Sequence, residues 1–146
     1  MPTSEQTIVK RVTELVAADS VSSPDPSWDS SNRRVINHLS DYAERDGWAV
    51  DIHELEASAD GKANLIATLG NTDNLGDEPA GLVLSGHTDT VPFDAGGWAS
   101  DPLKLTERDG RLYGLGSTDM KGFFALALEA ASVFDPSKFK APLYLL

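Results

Sequence analysis

The sequence contains no cysteine. Disulfide scaffolds, cysteine-ligated zinc fingers, iron–sulfur centres and thiol catalysis are therefore excluded. Positive charge is scarce: 12 Lys and Arg stand against 23 Asp and Glu, a formal net charge of −11. Nucleic acid and anionic membrane surfaces are polyanions, so neither is an expected partner. Long apolar runs are missing as well. The longest uninterrupted one, Phe123 to Leu128, falls far short of the roughly 20 residues that span a bilayer. The first ten residues lack a charged segment followed by an apolar stretch, so no signal peptide is read there and a cytoplasmic protein is expected. No internal repeat or low-complexity tract is visible. What remains is ordinary for a globular chain, with 40% hydrophobic and 24% charged residues over 146 positions, close to the length of one domain.

Hydrophobic spacing divides the chain into elements. Residues 4–18 repeat apolar side chains at helical spacing (Ile8, Val9, Val12, Leu15, Val16), and Thr3 with Gln6 three positions on forms a capping-box pattern. Residues 19–31, rich in Ser, Asp and Pro, read as a loop. A second helix is predicted over 32–46, with Val35, Ile36, Leu39, Tyr42 and Ala43 inward, Ser30 or Ser31 at its start and Gly47 closing it. The period then drops to two. Trp48, Val50 and Ile52 alternate with polar neighbours as in a half-exposed strand, and Asp60-Gly61 turns into a strand over 64–69. Residues 71–80, with Asp73, Asp77 and Glu78, read as a solvated acidic loop. Leu82-Val83-Leu84 has no alternation, as expected of a strand buried on both faces. A hairpin is predicted at Asp109-Gly110, a largely apolar buried helix over 120–133, a linker over 135–142 and a further buried strand from Leu143 to Leu146. Strands alternating with helices predict an α/β fold, a layered sheet with helices on both faces. A compact protein rarely stops inside an apolar strand, which needs neighbours on both edges. The chain is therefore expected to be the N-terminal part of something longer.

Two stretches carry candidate chemistry. Ser85-Gly86-His87-Thr88-Asp89 directly follows the third strand, and ligands in open α/β sheets gather at the carboxyl ends of strands. On extended backbone His87 and Asp89 point to one face. A neutral imidazole is a good zinc ligand, and a carboxylate beside it can fix its tautomer. The same pair also suits a hydrogen-bonded histidine at a strand end and an aspartate capping a turn. Gly114-Leu115-Gly116-Ser117-Thr118-Asp119-Met120-Lys121-Gly122 opens the apolar helix. Asp119 sits where an N-cap belongs, and a carboxylate there is also a ready metal ligand. A dinucleotide-binding glycine loop is disfavoured, because Asp119 stands where the third glycine should be and would repel a pyrophosphate.

Taken together, Gly86-His87-Thr88-Asp89-Thr90-Val91-Pro92, Trp98, Asp101-Pro102, Leu112-Tyr113-Gly114-Leu115-Gly116 and Asp119-Met120-Lys121-Gly122-Phe123 resemble the two-zinc amidohydrolase and exopeptidase family. The resemblance is strong over residues 82–128. It implies a zinc-exopeptidase-like catalytic domain, truncated, of which residues 1–146 form the N-terminal part. The remainder of that domain and the lid domain, through which the intact protein would form a homodimer, are absent. It further implies that His87 is a terminal ligand of one metal, Asp119 a carboxylate bridging two metals and Asp89 the catalytic partner of His87. A non-proline cis peptide at Asp119–Met120 is implied too. An intact site would hold two zinc ions, with cobalt or manganese possible, and would hydrolyse the amide of a small N-acyl amino acid. The wording around Phe93-Asp94 and Trp98 implies removal of the acetyl group from N-acetyl-L-ornithine, a step of arginine biosynthesis.

The family's Glu-Glu pair, which supplies the general base and a metal ligand, has no counterpart here, so the chain alone is expected to be inactive. His38 and His53 read as surface histidines. Lys121 reads either as donor to a nearby carboxylate or as the first exposed residue of its helix. Trp28 and Trp98 read as packing residues, and Phe123 and Phe124 as core. Two other readings stay open: another acyl-amino-acid or peptide substrate within the family, and a non-catalytic binding or assembly module.

Overall fold

The computed structural model describes residues 3–55, 61–72 and 81–146. Helix α1 spans Ser4–Ala17 and opens with a complete capping box. The Thr3 hydroxyl accepts from the Gln6 amide, and the Thr3 amide donates to the Gln6 side chain at 3.0 Å. Helix α2 spans Arg33–Arg45. Of the two serines expected at its start, Ser31 is the one engaged. Asn32 holds the cap position without a side-chain cap bond, while the Ser31 hydroxyl accepts from the Arg33 amide at 3.1 Å. Gly47, at φ +87°, ends it in the left-handed region that glycine adopts without steric cost.

Strands β1 (Ala49–Glu54) and β2 (Ala63–Leu69) pair antiparallel, with Ile52 opposite Leu65. Strand β3 is Leu82–Leu84; β4 (Thr106–Arg108) and β5 (Arg111–Tyr113) form the hairpin expected at Asp109-Gly110. Helix α3 spans Lys121–Ser132 and β6 spans Leu143–Leu145. The main sheet runs β1-β2-β6-β3, with β6 antiparallel to β2 and parallel to β3. The turn residue Asp60 and the acidic stretch with Asp73, Asp77 and Glu78 lie outside the described residues.

Two expectations are corrected. Leu82 and Val83 are 61% and 53% exposed, because β3 pairs only with β6 and forms an edge among the described residues. Helices were expected on both faces of the sheet. Instead α1, α2 and α3 touch one another and share one core. That core covers the face of β2 bearing Ala63, Leu65, Ala67 and Leu69. The strict alternation of burial along β2 is that of a strand covered on one side. The α/β layered class itself stands.

Phe124, Leu128 and Leu145 are fully or almost fully buried, and Phe123 packs against them partly exposed. Where the helices converge, Arg11 is 8% exposed. One of its nitrogens lies 3.0 and 2.7 Å from the two carboxylate oxygens of Asp46, and the Tyr42 ring sits 5.4 Å away. This ties α1 to the end of α2.

Candidate metal centre

The chain leaves β3 toward the site through Gly86, and the geometry there requires glycine. A Cβ at this position would stand 2.8 Å from the ring of Phe124 and 3.1 Å from Met120. The backbone can thus lie against α3, and the next residue, His87, emerges beside the start of that helix.

His87 stands between two carboxylates. Its Nδ1 lies 3.3 Å from Oδ1 of Asp89, and its Nε2 lies 3.0 Å from Oδ1 of Asp119. All three side chains are open to solvent. The structure therefore brings together the three residues singled out in the sequence. Asp119 is not the cap of α3. Met120 holds that position without a side-chain cap bond, and the Asp119 carboxylate turns to His87 instead. The Asp119–Met120 peptide is cis, as the family resemblance implied.

The donor chemistry fits a cation. A neutral imidazole carries one N–H. If Nδ1 donates it to Asp89, then Nε2 presents a lone pair to the Asp119 carboxylate, acceptor against acceptor at 3.0 Å. Such a contact calls for a proton or a metal ion between the two atoms. Two donors bound to one tetrahedral zinc at about 2.0–2.1 Å lie roughly 3.3 Å apart, close to the separation seen. The set is incomplete, since among the described residues no group of three or more His, Asp or Glu converges as a metal site. His38 and His53 stand elsewhere: His38 stacks on Tyr42, and His53 pairs with Asp51 at 3.0 Å.

The loop carrying Asp119 is held by close packing. Gly116, at φ +74°, turns the chain against Thr90 and the stem of Lys121. A Cβ on Gly122 would stand 2.2 Å from the carbonyl oxygen of Ser117. The sequence offered Lys121 as donor to a carboxylate or as an exposed helix residue; the structure instead buries it beside a carbonyl, with the Asp19 carboxylate near enough to favour its charge. Its side chain is fully buried and its ammonium donates to the Ala18 carbonyl at 2.7 Å. Burial lowers its pKa to about 8, because a low-dielectric surrounding disfavours the charged form.

Sequence reasoning overlooked the polar frame on the other side of His87. The Ser20 hydroxyl donates to the Thr88 carbonyl at 2.7 Å, and the Asn32 amide donates to the Thr88 hydroxyl at 3.0 Å and to the Ala63 carbonyl at 2.9 Å. Nothing in the periodicity distinguishes Ser20 from the other serines of its loop. Asn32, immediately before a predicted helix, carries only a cap signal. Trp28, in the same loop, meets Phe93 edge to face at 6.4 Å. Beside His87 opens a cavity of about 590 Å³, walled by Asn32, Ile36, Leu39, Leu65 and Phe124.

Residues 83–146, the stretch that holds both motifs, match Peptidase family M20/M25/M40. This is the resemblance read from the sequence. The chain is 48% identical over 132 residues to acetylornithine deacetylase of Vibrio campbellii, covering 90% of this chain and 32% of that protein. It is 48% identical over 133 residues to acetylornithine deacetylase of Photorhabdus laumondii, covering 91% and 33%. The chain thus spans about a third of the length of these curated relatives. Among solved structures it is similar to human carnosine dipeptidase 1, with a TM-score of 0.73 and 28% identity over 94% of this chain and 30% of that one. It shares its fold with an M20 family metallo-carboxypeptidase from Sulfolobus solfataricus, at TM-score 0.72 and 20% identity over 94% and 29% of the two chains.

Proposed function

We propose that this chain is the N-terminal part of the catalytic domain of a metal-dependent amide hydrolase that removes the acetyl group from N-acetyl-L-ornithine, giving L-ornithine and acetate for arginine biosynthesis. The observation that carries the reading is the meeting of His87 Nε2 and Asp119 Oδ1 at 3.0 Å, at the ends of two motifs far apart in sequence. The choice of substrate rests on the 48% identity to acetylornithine deacetylases.

In this reading His87 and Asp119 would hold divalent metal, zinc or in its place cobalt or manganese. Metal bound there supplies Lewis acidity to the amide carbonyl and lowers the pKa of an attacking water. Asp89 accepts the Nδ1–H of His87, which fixes the tautomer and leaves Nε2 free to ligate. The two exposed carboxylates also make the site attractive to cations. The general base and the other ligands belong to the two thirds of the relatives' length that this chain does not span. That remainder also brings the lid domain and its homodimer contact.

Ornithine release from N-acetyl-L-ornithine, followed with added zinc or cobalt, tests the reading. Turnover is expected from the protein joined to the remaining donors and none from residues 1–146 alone. Turnover by these residues alone would overturn the assignment of the missing groups to another segment. A complete protein that cleaves dipeptides and spares N-acetyl-L-ornithine would move the substrate toward that of the dipeptidase-like neighbour.

A further inference from the structure

We propose that the short strap of residues 18–22 sets the separation of His87 and Asp119, with Lys121 as the positioning residue on the Asp119 side and Ser20 on the His87 side. The proposal rests on the reading of this pair as a metal centre.

The two halves of the site come from different parts of the fold and meet by packing, Gly86 against Phe124 and Met120 and Gly116 against Thr90. Both are fastened to the same strap. On the His87 side, the Ser20 hydroxyl donates to the Thr88 carbonyl at 2.7 Å. The Thr90 amide donates to the Ser20 carbonyl at 3.0 Å, and the Ser22 amide to the Thr90 carbonyl at 2.9 Å. These bonds make Val21 and Thr90 an isolated parallel bridge. The backbone on either side of Asp89 is thus clamped at two points.

On the Asp119 side the only side-chain tie to the strap is Lys121 among the described residues. Its ammonium reaches the Ala18 carbonyl, and its own amide donates to the Gly116 carbonyl at 2.8 Å. The stem lies against the Gly116 turn, where a Cβ would come within 3.3 Å of it. Lys121 follows Asp119 by two residues, so fixing it fixes the backbone from which the carboxylate projects. A buried ammonium is costly unless its hydrogen bond is made, and a charge-assisted bond is stronger than a neutral one. Burial also removes the competition from water that a surface lysine meets. The strap therefore acts as a common ruler, and the ligand atoms sit in register because both are measured from it. Sites that bind metal need their donors held within about half an ångström, a tolerance that two independent loops would not meet.

Lys121→Met keeps the aliphatic stem and removes the donor. Ser20→Ala removes one hydroxyl and is the variant to read should Lys121→Met fail to fold. Crystal structures are expected to show α1 and α3 in place and His87 Nε2 parted from Asp119 Oδ1 beyond hydrogen-bonding range, about 3.5 Å. The 3.0 Å contact persisting in a folded variant overturns the proposal. Cobalt(II) titration supplies a second readout. Affinity is expected to fall roughly tenfold or more in each variant, whereas loss of stability alone would leave the affinity of the folded protein unchanged. A parent protein that binds cobalt no better than its His87→Ala variant overturns the metal-centre reading. The distance measurement still decides the role of the strap, so the two failures are told apart.

Discussion

Nε2 of His87 and Oδ1 of Asp119 meet at 3.0 Å across 32 positions of sequence. One arrives from the end of a strand and the other from the threshold of a helix. Each atom is one of the two donors this chain brings to the proposed centre, so His87→Ala and Asp119→Ala are each expected to abolish measurable cobalt(II) binding. Both side chains are exposed, so the thermal melt should hardly move. Isothermal titration with parallel melting curves checks both, and undiminished binding in either variant would refute the assignment.

Asp89 faces the other nitrogen of the ring. Asp89→Asn weakens its ability to hold the Nδ1–H, and outer partners of this kind typically govern metal affinity by about 10- to 100-fold. A loss in that range is expected, with the fold intact. Equal affinity in the variant would mean that the tautomer is fixed by the Asp89 carbonyl, which also lies 3.2 Å from Nδ1.

Gly122 has no room for a side chain. Gly122→Ala puts a methyl group onto the Ser117 carbonyl, a backbone atom that cannot swing away. A loss of about 3 kcal/mol or more is expected, at the upper end for an overpacked position, together with displacement of the Asp119 loop. Urea denaturation measures it; a change below about 1 kcal/mol would show that the loop yields freely.

Arg11 is nearly buried and closes the angle between α1, Asp46 and Glu129. Arg11→Met leaves the Asp46 carboxylate without its charged partner in a poorly hydrated place. The expected cost is about 3 kcal/mol by chemical denaturation. The double variant with Asp46→Leu should recover much of it, since removing both charges abolishes the uncompensated one.

Tyr42 gives a pH signature. Burial, and after it the hydrogen bond its hydroxyl makes to Glu14, raise its pKa above the ordinary 10.0. Above about pH 10 the unfolded chain therefore loses a proton that the folded chain keeps, and stability falls as the pH rises further. The contribution is fully present below about pH 10. Tyr42→Phe should show a smaller alkaline loss than the parent in denaturation between about pH 9 and pH 11. Identical slopes would overturn the prediction.

Local rules made much of the fold legible. The capping box at Thr3 and Gln6, the left-handed Gly47, the hairpin at Asp109-Gly110 and the apolar helix after Asp119 all depend on residues within a few positions of one another. The two motifs pointed to the residues that the structure brings together, His87, Asp89 and Asp119. What escaped was set by tertiary packing. Lys121 looks like a surface residue until the Gly116 turn and the strap close over it. Leu82 and Val83 look like core, but their burial depends on a neighbouring strand that their own sequence does not encode. The arrangement of helices on one face escaped for the same reason, because periodicity marks which side of a helix turns inward and not which side of the sheet receives it.

The placement of β6 bears on how the molecule assembles. It is the last of the described strands in sequence, yet it lies between β2 and β3. During synthesis the hairpin of β1 and β2 can form early, while β3 waits for more than fifty further residues before β6, its partner among the described residues, emerges. Until then two strands offer unpaired backbone to other molecules, a condition that favours aggregation. Closure of the sheet is therefore a late, long-range event, and such events slow folding. The strand that leads into Gly86 and His87 joins the sheet through β6.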